Sequence, residues 1–280
     1  MSLSPLIIEN MVRAALLEDL GHGHDITSQS VIPANANSKA TFRAREEGVL
    51  AGLIPALSCF SHTDPDFTFE IYAQDGEIIK AGQEIATIEG PAAALLTAER
   101  SALNFVIHMS GIATLTRRYV LSVQGTNAKI CDTRKTLAGL RTLQKYAVRA
   151  GGGHNHRHGL DDAILIKDNH IAIAGGINEV LTRAKDNAGH TVKIEIEVDT
   201  LEQLDQVLNH GGADIVMLDN FAIGDLETAI KRVDGQLTTE ASGGVSLLTV
   251  ADIAKTGVDY ISVGALTHSA PALDIGLDIE

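Results

Sequence analysis

From about Lys129 onward, short β-rich runs alternate with amphipathic helical segments. The runs are AKICDT, DAILIK, VKIEIEV, DIVMLD, LTTEAS and DYISVG, beginning near residues 128, 162, 192, 214, 237 and 259. Between them lie LAGLRTLQKYAVRA, INEVLTRAKDNAG, LEQLDQVLNHGG and LLTVADIAKTG, most of which close on glycine, as helices do at their C-terminal caps. Six β/α units at intervals of 20 to 35 residues predict a parallel sheet, either doubly wound or closed as a barrel. The barrel is favoured by what stands at the strand ends. Thr133, Arg134 and Lys135 follow the first strand, and Lys167, Glu197, Asp219, Ser242 and Gly264 end the next five. A ring of strands gathers such C-terminal ends at one mouth. A full barrel needs eight units, so an open or shortened ring is expected.

The first 110 or so residues have a different texture. A helix with Leu6, Ile7, Met11, Ala14 and Leu17 on one apolar face ends in the turn EDLGHGHDITS. In that turn Asp25 and Thr27 supply local hydrogen bonds, so His22 and His24 read as turn and capping residues. The β-like runs KATFRAREEGVLAG, FTFEIYA and GEIIKAGQEIATIEG follow, and then a long helical pattern from about Ala92 to Val123. This predicts a small α+β domain beside the barrel, with the boundary inside the long helix. DGEIIKAGQEIATIEG has glycines spaced as in a biotinyl or lipoyl carrier. Lys80, however, is not flanked like a carrier lysine, and an ordinary glycine-turned hairpin is expected.

Charge narrows the function. The chain of 280 residues has a net charge of -14 and 45% hydrophobic content, enough for a full core. Against that acidity, Cys131 to His170 concentrates Arg134, Lys135, Arg141, Lys145, Arg149, Arg157 and Lys167 against four aspartates, a local balance of +3 (7 minus 4). An acidic protein with one cationic pocket is expected to bind a small polyanion there rather than nucleic acid. The absence of Trp argues further against single-stranded nucleic acid. Two cysteines are too few for a disulfide framework, no signal peptide opens the chain, and no apolar run reaches the length of a membrane span. A cytoplasmic protein is expected.

VKIEIEV alternates with period two, so Ile194, Ile196 and Val198 share one face while Lys193, Glu195 and Glu197 share the other. In a barrel strand the apolar face packs on helices and the polar face enters the ring, where carboxylates need a partner or a metal. Glu197 and Asp219 end neighbouring strands, an arrangement that suits Mg²⁺; the alternative is pairing with nearby Lys or Arg. EASGG and SVGALTHS place Ser242, Gly243, Gly244, Gly264 and His268 at the last two strand ends, where small residues let backbone N–H groups approach a phosphate. HNHRH at 154–158 has the look of a metal cluster but follows a glycine triplet that implies a loop. We read His156 as a hydrogen-bond donor to an anion, with His154 and His158 structural or exposed. Lys135 and Lys167 are candidates for Schiff-base chemistry, but neighbouring Arg and Lys around a polyanion favour charged lysines.

Several motifs carry a resemblance. TRKT at 133–136, GGGHNHRHGL at 151–160, LIKDNH at 165–170, EIEVDTLEQL at 195–204, MLDNF at 217–221 and EASGGV at 240–245 resemble the quinolinate phosphoribosyltransferase family, as do EDLGHGHDITS and AERSALNFVIHMSGIAT. The likeness runs in order over almost the whole chain. It implies an N-terminal α+β sandwich domain over residues 1–112, an incomplete (β/α) barrel over 113–269, and residues 270–280 packing on the first domain. It implies transfer of phosphoribosyl from phosphoribosyl pyrophosphate to quinolinate with decarboxylation, in NAD biosynthesis, with Mg²⁺ as cofactor. It also implies a homodimer whose sites are shared between subunits. Carried over residue by residue, Arg100 reaches the partner's quinolinate, and Arg134, His156, Arg157 and Lys167 surround the two carboxylates. Lys135 sits between quinolinate and pyrophosphate, and Glu197 and Asp219 hold the ribose hydroxyls and the metal. Ser242, Gly243, Gly244, Gly264 and His268 grip the 5′-phosphate. Leu137-Ala138 departs from an expected Thr-Pro, which bears on loop rigidity rather than on charge. A sugar-phosphate aldolase or isomerase, or a non-catalytic anion binder, would be the competing readings; a nicotinate-specific transferase would have only one carboxylate to hold.

Overall fold

The computed structural model describes residues 3–280, which divide into two compact units. Among the described residues the first contains 3–117, 142–152 and 269–280. Its elements are α1 (Pro5–Leu20), α2 (Ile26–Val31), β1 (Asn37–Ala44), β2 (Gly48–Val49), α3 (Leu53–Thr63), β3 (Thr68–Ile71), β4 (Ile78–Ile79), β5 (Glu84–Pro91) and most of α4 (Ala92–Ser122). The helical pattern read from Ala92 is this single 31-residue helix. Asp25 caps α2 by accepting the N–H groups of Thr27 and Ser28, both at 3.0 Å.

An antiparallel sheet lies in the order β12-β1-β5-β3, in which β12 (Ile275–Ile279), the last strand of the chain, joins the edge beside β1. Phe42 of β1 meets Phe60 of α3 edge to face at 6.1 Å, and Phe60 meets Phe67 at 5.6 Å, so an aromatic cluster joins sheet and helix. Two sequence expectations change here. The face of α1 that is buried carries Ile8, Val12 and Leu16, while Leu6, Ile7 and Leu17 are exposed. The helix is apolar around most of its girth, so its own periodicity does not select a face; packing of a four-residue-spaced row against α3 does. The glycine-turned hairpin around Lys80 is also corrected. Gly82 makes the turn with φ +83°, but β4 pairs with β2 while β5 pairs with β1 and β3, so the flanking runs enter different sheets.

The second unit contains residues 118–141 and 153–268. The remaining elements are β6 (Lys129–Cys131), α5 (Arg141–Ala150, which clusters largely with the first unit), β7 (Ile164–Ile166), α6 (Asp168–Ala174), α7 (Ile177–Asn187), β8 (Ile194–Val198), α8 (Leu201–His210), β9 (Ile215–Asp219), α9 (Ile223–Val233), β10 (Thr238–Ser242), α10 (Val250–Lys255), β11 (Tyr260–Ser262), α11 (Ala265–His268) and β12 (Ile275–Ile279, in the first unit).

Six parallel strands lie in the order β6-β11-β10-β9-β8-β7. The first strand therefore pairs with the last, and the incomplete ring is open between the first and second, β6 and β7. Residues 153–157 enter beside that opening without forming a strand. They are tied to β6 by a single parallel bridge between Cys131 and His154, and near β7 by Arg157 Nη1 donating to the Ala163 carbonyl at 3.0 Å. Alternation holds as expected on β8, where Ile196 and Val198 are fully buried against the helical layer. No helix among the described residues is long and apolar enough to cross a membrane.

Candidate active site

Strict alternation along parallel strands stacks inward-facing side chains in layers, and the last layer forms the mouth. A cavity of about 350 Å³ opens there, lined by Thr133, Arg134, Lys135, His156, Arg157, Leu165, Lys167, Glu197, Met217, Asp219, Glu240, Ser242 and Ser262. Nine of the residues singled out in the sequence are thus brought together from five strand ends and the 153–157 segment. Four of the lining side chains are Arg or Lys.

The two arginines are held but not satisfied. Arg134 Nε and Arg157 Nε are both buried and have no hydrogen-bond partner among the described residues. Burial first, and the neighbouring Arg134 charge second, hold the Arg157 guanidinium below its usual value. Two guanidinium groups that repel each other in one cavity, each with an unused donor, form a receptor for a planar anion with more than one negative charge.

Lys135 is fixed by its backbone. Its N–H donates to Thr133 Oγ1 at 3.0 Å and its carbonyl accepts from Thr267 Oγ1 at 2.8 Å. A Cβ added at Gly264 would lie 3.1 Å from Lys135 Cδ and 3.3 Å from His268 Nε2, so Gly264, His268 and Lys135 form one neighbourhood. The loop carrying Leu137-Ala138 is tied down by Arg141, which donates to Thr136 Oγ1 at 3.1 Å and to the His158 carbonyl at 3.0 Å.

Beyond Ser242 two glycines adopt left-handed backbone, with φ +89° at Gly243 and +61° at Gly244. A Cβ at Gly243 would stand 2.1 Å from Asn220 Oδ1, so only glycine fits. Asn220, itself at φ 55°, donates its N–H to the Ser242 carbonyl at 2.9 Å and its side-chain amide to Asp219 Oδ2 at 2.6 Å. One residue thereby joins the metal-competent carboxylate to the glycine loop.

Lys167 Nζ forms an ion pair with Glu197, so pairing with lysine, the alternative weighed for this carboxylate, is the arrangement seen. His156, read from the sequence as a donor to an anion, stands here between protein groups. Its Nδ1 accepts the Arg157 backbone N–H at 2.8 Å, and its Nε2 lies 3.0 Å from Glu195 Oε2 and 3.6 Å from Glu240 Oε2. The ring lines the cavity while its N–H is spent on carboxylates inside the ring of strands. His154 packs edge-on to Tyr260, and His158 is exposed. Arg100 is exposed on α4, in the other unit, and has no ion-pair partner among the described residues.

Four residues were missed as parts of the site. Asp132 is fully buried and accepts from Asn155 Nδ2 at 2.5 Å and from the His156 N–H at 3.0 Å, pinning the segment that carries His156 and Arg157. Glu195, Glu240 and Ser262 lie one alternation step inward of Glu197, Ser242 and Gly264. Period two was the available signal, since Glu240 shares the face of Ser242 as Glu195 shares that of Glu197. Burial, and then the adjacent Glu195 charge, push the Glu240 carboxyl above the usual carboxylate range.

The chain matches two family models, the N-terminal domain of quinolinate phosphoribosyl transferase over residues 25–110 and its C-terminal domain over residues 112–278. It is 49% identical over 276 residues to the nicotinate-nucleotide pyrophosphorylase [carboxylating] of Mycobacterium leprae, covering 96% of this chain and 95% of that one. It is 45% identical over 274 residues to the probable nicotinate-nucleotide pyrophosphorylase [carboxylating] of Bacillus subtilis, covering 98% and 94%. The solved structure of the nicotinate-nucleotide pyrophosphorylase from Francisella tularensis superposes with a TM-score of 0.95 at 40% identity, over 100% of this chain and 98% of that one.

Proposed function

The chain belongs to the quinolinate phosphoribosyl transferase family, and we propose that the cavity at the strand ends is where it performs that family's reaction. The activity is the decarboxylating phosphoribosyl transfer that makes nicotinate mononucleotide for NAD biosynthesis from quinolinate and phosphoribosyl pyrophosphate. The observation that carries the siting is the pair of buried, unsatisfied guanidinium nitrogens on Arg134 and Arg157, in a cavity that Lys135 and Lys167 also line.

Quinolinate carries two adjacent carboxylates on a flat ring. Arg134 and Arg157 match two carboxylates better than one, which favours quinolinate over nicotinate as acceptor. Held this way, the ring nitrogen attacks C1′ of the ribose as pyrophosphate leaves, and positive charge develops on the sugar. Glu197 and Asp219 sit where that charge is stabilised. In the adduct the pyridinium nitrogen accepts the electron pair released when CO₂ departs, and a proton then takes the vacated ring carbon. Lys135, held between Thr133 and Thr267, is placed for the negative charge of the departing pyrophosphate. Gly243, Gly244, Gly264 and His268 surround the 5′-phosphate.

The donor set fits Mg²⁺. Glu197 and Asp219 offer carboxylate oxygens on neighbouring strands at the mouth, the hard ligands such an ion takes alongside phosphate oxygens and water. When bound, the ion neutralises pyrophosphate charge. We assign Arg100 to the site of a second copy in a homodimer, supported by its exposure and its lack of an ion-pair partner among the described residues. A cytoplasmic location accords with Cys59 and Cys131 both standing as buried thiols.

The test is pyrophosphate release from phosphoribosyl pyrophosphate with quinolinate, with nicotinate, or with neither. Release with quinolinate alone, accompanied by equimolar CO₂, is expected. Equal release with nicotinate, or release without an acceptor, would overturn the reading.

A further inference from the structure

Behind the mouth lies a second cavity, of about 470 Å³, lined by residues from the N-terminal ends of the strands, among them Lys193, Ile215, Thr238 and Tyr260. His156, Arg157 and Glu240 line both cavities, so they form a partition with open space on either face. A partition of this kind is not held by close packing on both sides. Its geometry depends on polar bonds.

Those bonds converge on one imidazole. The Arg157 N–H donates to His156 Nδ1, so that nitrogen holds its lone pair and the ring proton resides on Nε2. Nε2 faces Glu195 from β8 at 3.0 Å and Glu240 from β10 at 3.6 Å. Glu195 is 3% exposed and Glu240 4%, and each keeps one carboxylate oxygen without a hydrogen-bond partner. Burying two incompletely satisfied carboxylates side by side costs stability, and an apolar pair would pack the same ring interior more cheaply. The segment they engage is the one that stands in place of a strand between β6 and β7, joined to β6 by the bridge between Cys131 and His154.

We propose that Glu195 and Glu240 are positioning residues for quinolinate. They clamp the His156 ring, and the ring, through Nδ1, fixes the peptide from which the Arg157 guanidinium enters the mouth cavity. Asp132 holds the same segment from the β6 side through the His156 N–H. This role rests on the reading of the mouth cavity as the quinolinate site. Neither carboxylate needs to touch substrate, and neither is called upon in the transfer itself.

The experiment compares Glu195→Met, which keeps the volume and removes the acceptor, with Glu195→Gln, whose amide oxygen still accepts from Nε2. Steady-state kinetics are measured for both substrates, with Arg157→Ala alongside and the melting temperature recorded for each. Glu195→Met is expected to raise KM for quinolinate about tenfold or more, with KM for phosphoribosyl pyrophosphate within about twofold of wild type, and Glu195→Gln to recover most of the loss. Should the Met variant not fold, Glu195→Ala against Glu195→Gln carries the same comparison. If Arg157→Ala raises KM for quinolinate and the Met variant does not, the positioning role is wrong while the siting of quinolinate stands. A rise in both KM values together, or no recovery with Gln, also overturns the role. If Arg157→Ala leaves quinolinate KM unchanged, the siting itself fails.

Discussion

Lys167 at the end of β7 and Glu197 in β8 form an ion pair across neighbouring strands of the open ring. A cation proposed for a substrate carboxylate and a carboxylate proposed for a metal therefore neutralise each other in the protein alone. Each ligand must compete with the pair for its own residue. Lys167 is about half exposed, so the pair is worth little, about 1 kcal/mol at most.

The first prediction concerns this pair. Glu197→Gln keeps the shape and frees Lys167. Calorimetric titration with quinolinate alone should show affinity equal to wild type or raised by up to about fivefold. Turnover should fall and its dependence on Mg²⁺ should flatten, because a carboxylate oxygen donor is lost. A weakened quinolinate affinity with unchanged Mg²⁺ response would show that Glu197 serves only to hold Lys167.

Arg134→Ala and Arg157→Ala should each weaken quinolinate binding by about 2 to 5 kcal/mol, since a substrate carboxylate loses its buried partner. Phosphoribosyl pyrophosphate binding should change little. Titrations with each substrate separately check this, and unchanged quinolinate affinity in both variants would remove the two arginines from the site.

Assembly gives a third prediction. Arg100→Ala and Lys135→Ala should each be nearly inactive alone. In a random mixture of exchanging subunits, half the dimers are mixed and each has one intact site of two, which restores up to about a quarter of wild-type activity. Mixed dimers, verified by mass spectrometry, with no activity beyond the parents' average would mean that Arg100 acts within its own subunit or only in the fold.

A fourth concerns pH and the first unit. Bonds from the Ser28 hydroxyl and N–H hold the Asp25 carboxyl below its ordinary value. A depressed carboxylate contributes stability that is present above its unfolded pKa and lost as pH falls through the folded one. Asp25→Ala should therefore cost about 1 kcal/mol at neutral pH, as for other helix N-caps. The gap in melting temperature between variant and wild type should narrow as pH is lowered below the ordinary carboxylate range near 3.8. A gap independent of pH would mean that the charge of Asp25 plays no part in the cap.

Much of the site was legible because side chains on a strand alternate by covalent geometry alone. VKIEIEV, DIVMLD and LTTEAS each present one inward face, and parallel strands in a ring bring the ends of those faces to one mouth. Glu197, Asp219 and Ser242 could be placed together on that basis. The long helix from Ala92 was equally legible, since an uninterrupted helical pattern carries no competing pairing. Glu195 and Glu240 lay on the same inward faces, but nothing in the linear order told a buried carboxylate that binds substrate from one that holds another side chain.

The amino-acid sequence by itself determined the six β/α units, the identity of the strand-end residues and the cationic character of the mouth, because each follows from local periodicity and composition. Tertiary structure decided where the ring opens, which face of α1 is buried, that β4 and β5 part into different sheets, and that both nitrogens of His156 are taken by protein groups. These are outcomes of competition between contacts distant in the chain. His156 meets Glu195 and Glu240 across 39 and 84 steps of sequence only because β8 and β10 flank β9 in one ring interior, where a buried imidazole N–H needs an acceptor and Glu195 supplies it at 3.0 Å.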